Sequence, residues 1–285
     1  MTDPRIPIVE TILHPTDFSP ASRVAFHHAL RIALLAKARL TLLHAEAPEA
    51  ETEWLDFPGV RETLERWKYL PPLSLRSAVP KLGIDVRKLV SRQGDPVKAV
   101  LHHLEEFPAD LIVLAAHQDG GQLSWMRQRV AEPLARQAAQ MTLFIRENTD
   151  GFISAADGTA SLQNVLIPIA DVPPPQPAVE AAARLVNGLD CARGTFTLLH
   201  VGEADSMPEV RCPELPGWEW KRVVQSGNVI DAIVNAKTDL IVMATDGRNG
   251  FLDALRGSHS ERVLRSSAAP LLTVPVGSLA ADYLR

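Results

Sequence analysis

Short apolar runs alternate along this chain with longer segments whose apolar residues recur at helical spacing. Runs this short and continuous are typical of strands buried on both faces of a parallel sheet. The strand candidates of the first half are 11–15, 40–45, 86–90, 111–115 and 141–145. The helix candidates between them are 21–36, 61–69, 94–104 and 124–138. Ser19-Pro20 predicts the first helix start, because serine caps a helix and proline suits its first position. The alternation predicts an α/β fold.

The same series returns in the second half of the chain, where both the Leu-Leu-His and the Asp-Leu-Ile-Val segments recur. His44 and His200 are 156 residues apart, but Gly94 and Gly227 are only 133 apart. The second copy is therefore 23 residues shorter between its second and third strands, and we predict that it lacks the helix expected there. The predicted domains are 1–148 and 162–280, and the predicted linker is 148–162.

The connection that follows the apolar run 240–244 contains Gly247, Gly257 and Ser258, and a helix pattern begins at 261. A strand, a glycine loop and a helix start present backbone N–H groups and a positive dipole end to an anion, usually a phosphate. The alternative is an ordinary strand-to-helix connection whose glycines only form turns. The spacing alone leaves both interpretations open.

Composition narrows the function classes. The 285 residues carry a net charge of −5 without a clustered basic run, which argues against a nucleic-acid surface. No apolar run has the ~18 residues of a membrane span, and Met1-Thr-Asp-Pro-Arg lacks the apolar core of a signal peptide. Cys191 and Cys212 are too few for a disulfide framework. We expect a cytoplasmic protein that binds neither membrane nor nucleic acid.

Catalytic and metal-binding patterns are weak. His27-His28 and His102-His103 are adjacent pairs that point to different helix faces, so we expect no metal site. Nucleophile-elbow, lysine-bearing phosphate-loop and zinc-protease motifs do not occur in the sequence. We expect His44 and His200 to be structural. The tryptophans are expected to pack or to form interfaces, with Trp218 and Trp220 on one face of a strand.

Three features together resemble a tandem universal stress protein, with two copies of the domain in one chain. They are Pro15-Thr16-Asp17-Phe18-Ser19, the Leu-Leu-His strand ends, and Asp-Leu-Ile-Val-Met before the glycine loop. The resemblance implies two doubly wound five-stranded parallel sheets of strand order 3-2-1-4-5. It also implies that the domains pack as a pseudo-dimer in which strands 141–145 and 271–276 meet, with a ligand between strands 1 and 4.

Nucleotide-binding members of that family carry Gly-x2-Gly-x9-Gly-Ser/Thr after the fourth strand. Their adenine meets an aspartate after the first strand and main chain at the end of the second. In the second copy Ala244 replaces the first glycine, and Ala170 stands where the aspartate is expected. Asp171 is one residue late and could reach adenine only if its loop shifts, while Arg248 is a candidate phosphate clamp or simply a solvated side chain. The implied site comprises Ile169, Ala170, Asp171, Val201, Met243, Ala244, Gly247, Arg248, Gly257, Ser258, His259 and Ser260.

The first copy departs from the family at the opposite place. Thr16 and Asp17 match the adenine position, and they mark a second possible site. Gln118 and Gln128 replace glycines of the phosphate motif, where backbone must approach phosphate closely. We therefore expect the first copy not to bind a triphosphate in the family's way.

Three functions remain open. The first is a stress-response regulator that binds ATP or a related adenine nucleotide, with or without magnesium, and turns it over slowly or not at all. The second is a protein-interaction module of the same fold that does not bind nucleotide. The third, a phosphoryl-transfer enzyme, is disfavoured because the sequence lacks a lysine-bearing phosphate loop and a catalytic acid. We also expect an unidentified protein partner, or association of two copies of this chain as a homodimer.

Overall fold

The chain forms two compact units in a computed structural model. The structure describes residues 9–45, 57–92, 96–116, 140–146, 148–246 and 259–276. The N-terminal unit contains the described residues from 9 to 116 and those of 145–159. The C-terminal unit contains 140–144 and the described residues from 160 onward. The division between 159 and 160 lies within the predicted linker.

The N-terminal unit alternates strands and helices as the apolar pattern predicts. Its elements are β1 (Thr11–Thr16), α1 (Pro20–Ala36), β2 (Arg39–Ala45), α2 (Val60–Arg66), a 3-10 helix (Arg76–Leu82), β3 (Asp85–Ser91), α3 (Pro96–Glu106) and β4 (Leu111–Ala116). The next strand, β5 (Met141–Arg146), is divided, because its residues up to 144 belong to the C-terminal unit. The strand order is β3-β2-β1-β4 and these pairs are parallel. The Ser19 hydroxyl accepts the Ser22 N–H at 3.1 Å, which confirms the predicted cap. The predicted helix 124–138 lies outside the described residues.

The C-terminal unit repeats this arrangement. Its elements are β6 (Asn164–Pro168), α4 (Gln176–Gly188), β7 (Gly194–Val201), a 3-10 turn (Ala204–Ser206), β8 (Trp218–Gln225), α5 (Val229–Val234), β9 (Leu240–Thr245), α6 (His259–Ser266) and β10 (Leu271–Pro275). The parallel strand order β8-β7-β6-β9-β10 confirms the predicted 3-2-1-4-5 order. Residues 142–144 of β5 run antiparallel to β10, so the two terminal strands do meet.

The aspartate that opens the repeated Asp-Leu-Ile-Val segment has a structural role in both units. Asp110 Oδ2 accepts the backbone N–H groups of Glu10 and Thr11 at 2.8 and 2.9 Å. Asp239 Oδ2 accepts those of Gln163 and Asn164 at 2.9 and 2.8 Å. Each carboxylate therefore joins the amino ends of the first and fourth strands of its sheet.

The helix predicted to be absent from the second copy is indeed absent. Residues 202–217, all of them described, contain only the short 3-10 turn. The extended chain there is fixed by Gln176, whose side chain exchanges two hydrogen bonds of 2.9 and 3.0 Å with the Arg211 backbone. Trp218 and Trp220 lie on one face of β8 as predicted, with ring centroids 4.6 and 4.2 Å from that of Phe196.

The predicted linker packs firmly against the N-terminal unit, although its composition has no apolar periodicity. Phe152 and Ile153 are 1% and 2% exposed. The His28 Nε2 atom on α1 accepts both of their backbone N–H groups, at 2.9 and 3.1 Å. Gly151 has φ +64°, and a Cβ there would lie 2.3 Å from the His28 ring, so this approach requires glycine. Two buried residues and one histidine thus anchor the segment.

Among the described residues, the structure contains no helix of the length and apolarity that crossing a bilayer demands.

Candidate functional site

The strand order reverses between β6 and β9 in the C-terminal unit. The two strands are parallel neighbours, with Val165 opposite Leu240 and Leu166 opposite Ile241. β7 lies beyond β6 on one side and β10 lies beyond β9 on the other. In open α/β sheets, ligands bind at the carboxyl ends of the strands where the order reverses in this way. This edge is the candidate site, and most of the predicted residues flank it.

The loop after β6 is held by backbone and histidine contacts. Ile169 is 4% exposed, and its N–H donates to the Leu199 carbonyl at 2.8 Å. Its own carbonyl oxygen lies 3.2 Å from His200 Nδ1. Ala170 and Asp171 follow as exposed residues. The only carboxylate of this triplet therefore projects from the loop surface, one position beyond the predicted adenine contact.

Val201, at the end of β7, directs its main chain toward this loop. The Leu199 carbonyl accepts from Ile169 on the β6 side. The Gly202 N–H donates instead to Gln225 on the β8 side, at 2.9 Å. Because alternate residues of a strand direct their N–H and C=O groups to the same neighbour, those of Val201 point to the β6 side.

The last residues of β9 and the start of α6 complete the described part of the site. Met243 is 7% exposed and Ala244 is half-buried. Helix α6 begins at His259, which is exposed, and continues with Ser260, which is 4% exposed. The positive end of a helix dipole favours an anion at its first turn. Gly247, Arg248, Gly257 and Ser258 lie outside the described residues, so their predicted roles stay predictions.

The equivalent edge of the N-terminal unit contains a cavity of about 230 Å³. Its lining includes Thr16, Asp17, Leu43, Val100 and Leu114. The structure therefore brings the second predicted pair of residues together at the carboxyl ends of β1, β2 and β4. The walls are mainly apolar, which suits a flat uncharged group better than a phosphate.

Asp17 is partly engaged by the start of α1. Its Oδ1 atom accepts the Ser22 hydroxyl at 2.6 Å and the Ser19 N–H at 3.1 Å. Burial lowers the pKa of His14, three residues earlier on β1, to about 4, although the negative charge of Asp17 acts in the opposite direction. His14 is accordingly neutral at physiological pH. Its Nδ1 atom lies 2.9 Å from the Val113 carbonyl and links β1 to β4.

The two strand-end histidines share one positioning role, which the repeat predicted only as structural. His44 Nδ1 lies 2.8 Å from the carbonyl oxygen of Thr16, and His200 Nδ1 lies 3.2 Å from that of Ile169. In each unit the acceptor is the residue after the proline of the first strand. Each ring therefore fixes the loop that flanks the candidate site. His200 also contacts the Ser206 hydroxyl through Nε2 at 2.9 Å.

A larger cleft, of about 470 Å³, lies under α5 in the C-terminal unit, and sequence reasoning missed it. Leu199, Val223 and Thr197 belong to its lining. Thr197 is half-buried, whereas Thr41 at the equivalent place in β2 is 7% exposed. Helix α5 has 6 residues and α3 has 11, so less of the sheet is covered. The sequence signal that could have predicted this cleft is the shorter segment between the third and fourth strands of the second copy, which leaves room for only a short helix.

Two parallel strand arrays whose order reverses between the first and fourth strands define a tandem doubly wound α/β protein. The sequence profile of the universal stress protein family matches residues 9–146 and 221–275. These segments cover more than half of the chain, which therefore belongs to the universal stress protein family. No curated protein sequence matches it.

Solved structures share the fold over nearly the whole chain. A universal stress protein from Archaeoglobus fulgidus DSM 4304 is 17% identical, covers 94% of this chain and 99% of its own, and superimposes with a TM-score of 0.56. A functionally unknown protein from Pseudomonas aeruginosa PAO1 is 13% identical, with coverages of 99% and 98% and a TM-score of 0.57. The cytoplasmic domain of a prokaryotic cation chloride cotransporter is 15% identical, with coverages of 96% and 99% and a TM-score of 0.52. Likenesses at this identity show the fold alone.

Proposed function

We propose that this universal stress protein is a regulatory protein that binds ATP or a related adenine nucleotide in its C-terminal copy, with little or no turnover. One observation carries the proposal. The motif residues Ala244, Gly247, Gly257 and Ser258 span the connection between the end of β9 and the start of α6 at His259. That is the connection at which a phosphate would meet backbone N–H groups and a helix dipole.

The proposed contacts divide between the two ends of the nucleotide. Backbone N–H groups of Gly247, Gly257 and Ser258, with the hydroxyls of Ser258 and Ser260, would hold the phosphates. The main chain of Val201, which points to the β6 side, would face the adenine. Turnover is expected to be slow because no general base has been identified at this edge.

The N-terminal copy would not hold a triphosphate. Gln118 and Gln128 occupy the two motif positions at which glycine allows close backbone approach. The small cavity beside Thr16 and Asp17 has mainly apolar walls. We therefore expect one nucleotide per chain.

The competing function is a protein-interaction module that has lost nucleotide binding. It is favoured by Ala170, which removes the carboxylate expected to contact adenine. One charge-assisted hydrogen bond contributes roughly 1.5–3 kcal/mol, or about 10–100-fold in affinity. The loss weakens a site but need not abolish it.

A calorimetric titration with ATP separates the two functions. The wild-type chain is expected to bind one ATP, Gly257→Asp to abolish binding by placing a carboxylate against the phosphates, and Gln128→Asp to leave it intact. Gln128 occupies the matching position of the first copy and is the control. No binding at millimolar ATP would favour the interaction module, and fast turnover with magnesium would favour an enzyme.

A further inference from the structure

The segment 57–92, which precedes α3, is basic in an acidic protein. Residues 57–92 contain eight Lys and Arg but three Asp and Glu, although the chain has a net charge of −5. This segment contains α2, and the second copy has no equivalent helix between β7 and β8. The excess positive charge is therefore a feature of the N-terminal unit alone, and it is unrelated to the nucleotide motif.

One arginine of this segment and one arginine of α1 flank a buried histidine where α1 meets the end of α2. The Arg66 guanidinium contacts His27 Nε2 at 3.2 Å. Arg31 follows His27 by one turn of α1, and its guanidinium carbon lies 5.5 Å from the Tyr69 ring centroid. Neither Arg31 nor Arg66 forms an ion pair with any carboxylate among the described residues. Two cations thus share a junction without a counter-charge from the described part of the chain.

Two buried donors at this junction have no hydrogen-bond partner among the described residues. A guanidinium can only donate, so His27 Nε2 accepts from Arg66 and the ring proton resides on Nδ1. The His27 Nδ1 and Arg31 Nε atoms are both buried, and neither has a partner among the described residues. His27 is 7% exposed and Arg31 is 9% exposed. Buried donors are normally satisfied, and here two orphan donors lie one helical turn apart.

We propose that this junction binds a tetrahedral oxyanion of the phosphate class through Arg31, Arg66 and the His27 ring. Guanidinium groups match the oxygen geometry of phosphate and bind it in a bidentate manner. Two guanidiniums and a ring N–H are all donors, and a phosphate or sulfate offers them up to four acceptor oxygens where a carboxylate offers two. Arg66 is exposed and Arg31 is buried, so an anion that arrives from solvent meets Arg66 first.

The test is a titration with inorganic phosphate against sodium chloride at matched ionic strength, followed by calorimetry and thermal unfolding. The full-length chain carries Gly257→Asp in every sample, so that the glycine loop of the second copy does not contribute. Binding is expected to saturate with phosphate and not with chloride. Sulfate and glycerol 3-phosphate are titrated in parallel. If phosphate and sulfate bind but glycerol 3-phosphate does not, the ligand is a free inorganic ion. If glycerol 3-phosphate binds as well, the ligand is a phosphorylated metabolite.

Variants assign the site. Arg66→Gln is expected to weaken phosphate binding about 10- to 100-fold, the usual effect of losing one charged hydrogen-bonding group. Arg31→Gln should do the same, and the exposed Arg66 provides the decisive variant if Arg31→Gln does not fold. Arg23→Gln, at an exposed position of the same helix, should change nothing.

A second readout is the His27 ring followed by NMR. Burial and the nearby Arg66 charge lower the pKa of His27 to about 4. Bound phosphate is expected to raise that pKa, because an anion stabilises the imidazolium. A phosphate response no larger than that of chloride, or equal losses in Arg66→Gln and Arg23→Gln, would overturn the proposal. Such a result would mean that the donors are satisfied within the chain.

Discussion

Replacing His28 by leucine removes the acceptor that fixes the linker to the N-terminal unit. The histidine is fully buried, and its Nδ1 atom lies 2.9 Å from the Val24 carbonyl. A carbonyl only accepts, so Nδ1 carries the proton and Nε2 is the acceptor for Phe152 and Ile153. Leucine has a similar volume but accepts nothing, so the change isolates the hydrogen bonds.

The cost follows from the two donors that are left without a partner. Each buried unsatisfied N–H costs about 1–3 kcal/mol. Because the two N–H groups share one Nε2 lone pair, we expect a combined loss of about 2–5 kcal/mol. The packing of the Phe152 ring, with its centroid 4.5 Å from that of His28, is largely retained by leucine.

Amide hydrogen exchange at Phe152 and Ile153 measures this loss directly, since exchange reports local opening. His28→Leu should lower their protection by an amount that corresponds to the energy above. His102→Leu is the matched control, because the His102 side chain is 54% exposed on α3. Unchanged protection at Phe152 and Ile153 in His28→Leu would refute the role assigned to this ring.

Three further outcomes are expected. Burial lowers the pKa of His14, His27 and His28 to about 4, below the model-peptide value of about 6.5, so the unfolded chain binds more protons between these limits. The free energy of unfolding should thus be highest above pH 6.5 and should fall by up to about 1.4 kcal/mol per pH unit for each histidine as the pH drops toward 4. Urea titrations at several pH values measure this dependence, and a free energy that does not change with pH would contradict the burial of neutral histidines. Asp239→Ala should destabilise the C-terminal unit by about 1–2 kcal/mol, because two strand N–H groups lose their acceptor. Asp239→Asn should lose less stability in the same urea titration, because its side-chain amide oxygen still accepts hydrogen bonds. Ala170→Asp should tighten ATP binding about 10–100-fold in calorimetry if adenine lies beside this loop, and an unchanged affinity would place it elsewhere.

The sequence predicted the sheet well because its signals are local and repeated. Ser19 and Pro20 marked the start of α1, and the 23-residue shortening predicted the absent helix between β7 and β8. The linker was harder to predict, because Phe152 and Ile153 are held by hydrogen bonds to a histidine 124 and 125 positions away in sequence. Long-range partners of this kind leave no periodic pattern.

The candidate site was predictable only in outline. The positions of Ile169, Val201 and Ser260 followed from the repeat and the family motif. The direction of the Val201 main chain could not be predicted from the repeat or the motif, because it depends on the register of β7 against β6. The orphan donors of Arg31 and His27 were equally hidden, since they result from how α2 packs on α1.

The most direct test of the central claim is mass spectrometry of the small molecules released when the purified protein is denatured. An adenine nucleotide is expected at a stoichiometry near one per chain, and none is expected from the Gly257→Asp protein. Two nucleotides per chain would mean that the first copy binds despite Gln118 and Gln128. No nucleotide, together with no response of the emptied protein to added ATP, would contradict the account and leave an interaction module whose glycines serve the turn alone.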